Sequence, residues 1–76
     1  MELCRNIETG LFFVFLADDS PEKVLLITPW GDVKPLKRSF FTDPVVADAA
    51  ESLLAEGKIN RKQYAVYRKY SKRAEQ

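Results

Sequence analysis

A length of 76 residues, with 46% hydrophobic and 30% charged side chains, predicts one globular domain over residues 1–76 with no linker. The sequence holds no histidine and one cysteine, Cys4, which excludes His-paired nucleophiles, His-ligated metals, thiolate clusters and internal disulfides. A net charge of +1, from 12 basic and 11 acidic residues, conceals an uneven distribution along the chain.

The N-terminal region has no feature of a targeting segment. The first apolar run covers residues 11–17, whereas a transmembrane helix needs about 20 apolar residues. No basic segment and no small-residue cleavage site accompany this run. Because an unpaired cysteine is typical of a reducing compartment, we expect a cytoplasmic protein without a membrane partner.

The first half of the chain has the composition of β-strands. Residues 11–17, 23–28 and 33–41 are rich in aromatic and β-branched side chains, and residues 3–8 are a candidate fourth strand. The short connections between them predict antiparallel pairing. Pro35 lacks a backbone N–H, so the third of these strands is predicted to lie at an edge.

The second half begins with a predicted helix over residues 44–56. Asp43 is the expected N-cap and Pro44 the expected first helical residue. Apolar residues then recur at spacings of three and four from Val45 to Leu54, which indicates a helix with one buried face.

A second helix is predicted over residues 60–73, and the two helices form a hairpin. Gly57 is expected to end the first helix, and Asn60 with Gln63 is expected to cap the second. The predicted inner face of the second helix contains Ile59, Gln63, Val66, Tyr67 and Tyr70. The sequence therefore predicts an α+β fold: a small antiparallel sheet of three to four strands followed by a C-terminal helical hairpin.

The predicted strands are apolar on both faces, and two helices can cover only one of them. Curvature of the sheet could enclose the second face, with Phe40, Phe41, Trp30 or the N-terminal segment closing it. Alternatively, that face binds a protein partner or a second copy of the chain. The candidate residues for this protein-interaction face are Phe12, Trp30 and Phe40.

Basic residues are concentrated at the C-terminus. Residues 1–57 carry five basic and ten acidic side chains, whereas residues 58–76 carry seven basic and one acidic. At about 100° per residue, most of the C-terminal cations share one helix face, a pattern typical of phosphate binding. The candidate nucleic-acid face consists of Arg61, Lys62, Tyr64, Arg68, Lys69, Lys72 and Arg73. The alternative is a solvated face that pairs with acidic residues of the first helix and complements the helix dipole.

Residues 53–64 resemble the helix-turn-helix of DNA-reading proteins, with Gly57 at the turn and Asn60 opening the second helix. Two positions depart from that pattern: Leu53 stands where a small residue is favoured, and Gln63 where an aliphatic one is. The same stretch is similar to the helical hairpins of short C-terminal (SHOCT-type) domains. That similarity implies a tight hairpin, and we carry no function over from it.

Nothing in the sequence points to catalysis, a cofactor or a metal. Cys4 has no neighbouring base to activate it, and the three glycines stand singly rather than in a phosphate-binding loop. We therefore expect a non-catalytic interaction module or accessory subunit that binds a protein partner or itself through the sheet aromatics. The alternative is a nucleic-acid-binding module that uses the basic C-terminal helix.

Overall fold

The structure, a computed structural model, describes residues 1–47 and 49–74, and only the backbone of residues 71–74. Within these residues, an antiparallel sheet of five strands precedes two helices, so the predicted α+β fold is confirmed. The strands are β1 (Glu2–Arg5), β2 (Phe12–Ser20), β3 (Lys23–Ile27), β4 (Val33–Lys37) and β5 (Val45–Val46). The helices are α1 (Ala50–Glu56) and α2 (Arg61–Ala74).

The strand order is β4-β3-β2-β1-β5, which places β1 inside the sheet. The candidate strand over residues 3–8 is thus present as β1, where Leu3 lies opposite Val14 of β2. β4 lies at an edge, as Pro35 predicts, and Pro35 faces Leu25 of β3. The fold therefore joins the N-terminal strand to the last strand rather than ending in a simple meander.

The sheet is strongly curved, because a very short connection links its two sides. Only the 3-10 turn Arg38–Phe40 joins β4 to the segment that runs along β1 into β5. Four strand spacings of about 4.8 Å would separate β4 from this segment by about 19 Å in a flat sheet. A 3-10 turn of three residues advances the chain by only about 6 Å. Bulges between Phe15 and Ala17 and between Asp18 and Ser20 supply the bend in β2.

The prediction that the first helix begins at Pro44 with Asp43 as its N-cap is wrong, because α1 begins at Ala50. The segment Val45–Val46 forms β5 instead and pairs with β1. β-branched residues favour strands over helices, and here a partner strand is present. This partner lies far away in the sequence, so the local spacing of apolar residues does not reveal it.

The third predicted strand also ends before residue 41. β4 stops at Lys37, the 3-10 turn follows, and Phe41 then forms an isolated antiparallel bridge with Asn6. The predicted strand therefore contains two extended segments on opposite sides of the sheet, separated by the turn.

One face of the sheet packs against the helices. The buried residues of this first core are Leu3, Val14, Ile27, Leu53 and Ile59. They come from three strands, from α1 and from the connection between the helices. Val66 and Tyr67 of α2 pack against the same cluster, and β3 is the strand that α2 mainly contacts.

The other face encloses a second core. Its buried residues are Cys4, Phe13, Val24, Leu26 and Phe41. The rings of Phe13 and Phe41 meet edge to face with their centroids 4.8 Å apart. Phe41 stands directly after the 3-10 turn, so the same short connection that requires curvature also supplies the ring that covers this face. Of the two alternatives for the second face, the structure shows enclosure.

Candidate nucleic-acid interface

Helix α2 is fixed at its start by a reciprocal pair of hydrogen bonds. The backbone N–H of Gln63 donates to Oδ1 of Asn60 at 2.9 Å, and the backbone N–H of Asn60 donates to Oε1 of Gln63 at 3.0 Å. This is the predicted capping pair, and it satisfies donors that a helix start otherwise leaves unpaired. The direction of α2 is therefore set at its first turn.

Gln63 also ties α2 to the sheet. Its side chain is only 1% exposed, and Nε2 donates to the carbonyl oxygens of Phe12 at 2.9 Å and Ile27 at 3.4 Å. The aliphatic residue that a helix-turn-helix places here could not make these bonds. Of the other residues predicted on the inner face of α2, Val66 and Tyr67 are half-buried, whereas Tyr70 is 39% exposed.

Away from the sheet, α2 presents mainly basic side chains. Arg61, Lys62, Arg68 and Lys69 are exposed and lie within an arc of about 120° on the helix. We call these four residues the α2 cationic face. Helix α2 contains no acidic residue. Lys72 and Arg73, also predicted here, belong to α2 by backbone, but their side chains lie outside the described residues.

Carboxylates do not neutralise this face in the part of the chain that the structure describes. The ion pairs found there join Arg38 to Asp18 at 2.7 Å and Lys58 to Glu56 at 4.0 Å. Glu51 of α1 accepts a hydrogen bond from the hydroxyl of Tyr64 instead of pairing with a cation. The α2 cationic face therefore presents its charges to solvent, not to the acidic residues of α1 described here.

The position of two of the cations opposes the helix dipole. Arg61 and Lys62 stand in the first turn of α2, where the partial charge of the helix is positive and acidic residues are favoured. Dipole complementarity can account for cations near the C-terminus, but it works against these two. Their placement is unfavourable for the helix by a few tenths of a kcal/mol to about 1 kcal/mol each.

Tyr64 does not offer a free ring. It is half-buried, its hydroxyl donates to Glu51 at 3.2 Å, and the guanidinium of Arg68 lies 5.7 Å from its ring centroid. The cation–π contact orients Arg68 while leaving it exposed. Tyr64 thus joins α2 to α1, and an aromatic surface for a ligand must come from another residue.

Trp30 offers that surface, in the turn between β3 and β4. Its side chain is 64% exposed. The turn is held by Thr28, whose Oγ1 accepts from the N–H groups of Trp30 and Asp32, and whose own N–H donates to the carbonyl of Asp32 at 2.8 Å. The ring therefore projects from a well-ordered turn.

The turn that carries Trp30 is packed against the first turn of α2. Nδ2 of Asn60 donates to the carbonyl oxygen of Pro29 at 2.6 Å. Gly31 has a φ of +89°, and a Cβ built there would come within 3.2 Å of the Cβ of Lys62. Trp30 is therefore held beside the cations at the start of α2. The sequence gives no local sign of this contact, because some thirty residues separate the two turns.

Comparison with known protein families, with curated proteins and with solved structures finds no match to this chain. No helix of the described residues is both long enough and apolar enough to cross a membrane. The same residues contain no group of three or more His, Cys, Asp or Glu side chains arranged to hold a metal ion.

The three residues of the predicted protein-interaction face do not form one surface. Phe12 is half-buried and packs against the first core under the helices. Phe40 is 51% exposed and belongs to the 3-10 turn on the opposite side of the sheet. The backbone N–H of Ile7, another exposed residue, donates to the carbonyl oxygen of Phe40 at 3.0 Å. Trp30 stands apart from this pair, against α2.

Two further candidate sites, the Cys4 thiol and a surface cleft, have polar groups that are buried or already hydrogen-bonded. Burial raises the pKa of the Cys4 thiol to about 11, with a smaller opposing effect from Arg38, so the thiol stays protonated and weakly nucleophilic at neutral pH. A surface cleft of about 440 Å³ lies where β3 begins and β4 ends. Arg38 lines it but already binds Asp18 and the carbonyl oxygen of Pro21.

Proposed function

We propose that this protein is a non-catalytic module that binds nucleic acid through the α2 cationic face. The observation that carries the proposal is the charge of one helix surface. Four exposed cations lie together on a helix without acidic residues, and the carboxylates described in the structure do not pair with them. Regularly placed Lys and Arg side chains of this kind bind phosphates of a nucleic-acid backbone.

The unfavourable placement of Arg61 and Lys62 supports the same proposal. A sequence selected only for folding would favour Asp or Glu in the first turn of α2, because they interact well with the helix dipole. Residues that break a local folding rule are expected at functional sites. Binding of phosphate would remove the mutual repulsion of these cations and the positive end of the helix.

Salt dependence of binding tests the proposal. Each phosphate contact contributes about −0.7 to the slope of log K against log salt for a single strand and about −0.9 for a duplex. The four cations therefore predict a slope near −3, or about a 50-fold loss of affinity for a single strand between about 50 and 200 mM salt. Fluorescence anisotropy of labelled mixed-sequence DNA and RNA oligonucleotides measures both quantities.

A pair of double variants separates a specific face from general attraction. R68A/K69A removes two cations from α2, and K34A/K37A removes two exposed cations from the edge strand β4. We expect R68A/K69A to reduce the slope by about 1.4 for a single strand and K34A/K37A to leave it unchanged. Equal effects of the two variants, or affinity independent of salt, would refute the proposal.

We propose a second candidate function, binding of a protein partner or a second copy of the chain, on the basis of Ile7 and Phe40. Their side chains are 64% and 51% exposed, and their backbones are joined by a hydrogen bond. Large apolar residues exposed side by side are typical of interfaces. Sedimentation velocity tests this candidate: F40A should abolish an association that persists at high salt, and a monomer at all concentrations would exclude self-association.

We also propose a cytoplasmic location. It is supported by Cys4, a free thiol that is buried in the second core. Unpaired thiols persist in reducing compartments. Fractionation of cells that express the tagged full chain tests this location, and recovery outside the cytoplasmic fraction would refute it.

A further inference from the structure

We infer that the nucleic acid is single-stranded and that one of its unpaired bases stacks on Trp30. This inference rests on the proposed function and specifies the ligand of the same site. It is carried by the contact between the Trp30 turn and the first turn of α2. The inference covers single-stranded DNA and RNA together, since both supply a phosphate backbone and unpaired bases.

Exposure of Trp30 has no benefit for folding. Burial of a tryptophan side chain is favourable for folding, and this one remains 64% exposed. The hydrogen bonds that the hydroxyl oxygen of Thr28 accepts, and the one that Asn60 donates, nevertheless hold the turn in one conformation. An exposed ring on a backbone that is already fixed loses less conformational entropy when a ligand stacks on it than a ring on a mobile loop does.

The charged residues near Trp30 favour the phosphates of the ligand on one side of the turn and an uncharged base at the turn itself. Lys62 contacts the turn at Gly31, Arg61 precedes Lys62 on α2, and both exposed cations attract phosphate. Asp32 stands two residues after Trp30, is exposed, and repels phosphate from the turn itself. An uncharged base is therefore favoured over the ring, with its phosphates displaced toward α2. This combination of a cationic track and an aromatic platform is typical of sites for single strands.

A duplex does not satisfy this arrangement. Its bases are stacked and paired inside the double helix, and extruding one is energetically unfavourable. The cations could still bind duplex phosphates, but Trp30 would gain no stacking partner. The inference therefore predicts tighter binding of single strands than of duplexes with the same number of phosphates.

The intrinsic fluorescence of the protein reports the proposed contact directly, because Trp30 is the only tryptophan. The experiment titrates the full chain with oligo(dT), with oligo(U), with a mixed-sequence duplex and with inorganic polyphosphate. We expect both single strands to quench Trp30, and the duplex and polyphosphate to leave its emission nearly unchanged. Because oligo(dT) differs from oligo(U) in the 5-methyl group of its base as well as in its sugar, oligo(dU) is titrated too, and a difference between oligo(dU) and oligo(U) identifies the preferred sugar.

Variants at Trp30 give the second measurement, by anisotropy of the labelled single strand. W30A is expected to weaken binding about tenfold, and W30Y, which keeps an aromatic face, to restore most of the loss. V46A is the matched control, since it removes another exposed apolar side chain, on β5 at the other end of the strand order from β4. It should leave affinity for the single strand unchanged.

The outcomes separate this inference from the proposed function. If single strands bind with the predicted salt dependence but neither quench Trp30 nor respond to W30A, the stacking inference is wrong and the proposed function stands. If the labelled oligonucleotides show no binding at low salt, both are wrong. Equal quenching by the duplex would also overturn the preference for single strands.

Discussion

The side-chain amide of Gln63 donates to the carbonyl oxygen of Phe12 at 2.9 Å, across 51 positions of sequence. Gln63 is the buried polar residue that links α2 to the sheet, and through Asn60 it is linked to the turn of Trp30. A buried amide with all its partners satisfied gives the helix one orientation and one register. Gln63 is therefore a central contributor to the position of the candidate interface.

Replacing Gln63 by leucine keeps the volume but removes its hydrogen bonds. The variant Q63L leaves the carbonyl oxygen of Phe12 and the N–H of Asn60 without their partners. We expect a loss of about 2–4 kcal/mol in the free energy of unfolding, because each polar group left unpaired in the interior costs about 1–3 kcal/mol. Urea unfolding followed by circular dichroism measures it, and a loss below 1 kcal/mol would show that Gln63 is not the anchor of α2.

A glutamate at the same position should make stability depend on pH. In Q63E, a carboxylate would face two carbonyl oxygens, so burial and repulsion raise its pKa in the folded state above the usual value near 4.3. The neutral acid is tolerated, so stability is greatest below about pH 4 and falls as pH rises through the raised pKa. Unfolding of Q63E and wild type at several pH values checks this, and a constant difference would contradict it.

Adjacent phenylalanines should differ widely in their contribution to stability. Phe41 is 8% exposed and packs on Phe13 in the second core, whereas Phe40 is 51% exposed. We expect F41A to reduce the free energy of unfolding by about 3–5 kcal/mol and F40A to reduce it by less than about 1 kcal/mol. Thermal and urea unfolding compare the two variants. Similar losses would mean that Phe41 does not close the second face.

Alanine substitutions at two glycines with positive φ should also reduce the free energy of unfolding by different amounts. Gly57 ends α1 with φ of +79° and has open space where a Cβ would be added, so G57A suffers only backbone strain of about 1 kcal/mol. Gly31 has the same kind of strain, and its added methyl group would also press on the Cβ of Lys62 at 3.2 Å. We expect the larger loss of stability for G31A, measured by urea unfolding. Equal losses would show that the turn does not press against α2.

Deprotonation of Cys4 should destabilise the protein at alkaline pH. Burial raises the pKa of this thiol from 9.0 to about 11, so the unfolded chain loses its proton first. The stabilising contribution of the neutral thiol is complete below pH 9 and is lost as pH rises toward 11. Comparing the pH dependence of unfolding for wild type and C4A isolates this effect from the titration of other groups. Parallel curves for the two proteins would contradict it.

Local sequence patterns predicted those parts of the fold that depend on near neighbours. Gly57, Asn60 and Gln63 act within a few residues of one another, and the structure confirms each as a cap. The segment Val45–Val46 illustrates the limit, because its spacing fits a helix while its structure depends on a distant strand. The bend of β2 is likewise a consequence of bulges and of the short 3-10 turn, which only the assembled sheet reveals.

The candidate interface was predictable to the same extent. The arc of cations follows from helix geometry alone, so Arg61, Lys62, Arg68 and Lys69 could be grouped from the sequence. Trp30 could not be grouped with these cations from the sequence, because it reaches α2 through contacts between two turns that are distant in the chain. Exposure of Trp30 rather than Tyr64 also depends on tertiary packing.

The central position of β1 has a consequence for how the chain acquires its structure during synthesis. The strand made first pairs on one side with β2 and on the other with β5, which the ribosome makes more than forty residues later. One edge of the nascent sheet therefore lacks its partner strand until β5 is synthesised. The carbonyl oxygens of Phe12 and Ile27 lack their hydrogen bonds from Gln63 for longer still. Gln63, which ties α2 to the sheet, and the four residues of the α2 cationic face leave the ribosome together, so an incomplete chain presents neither.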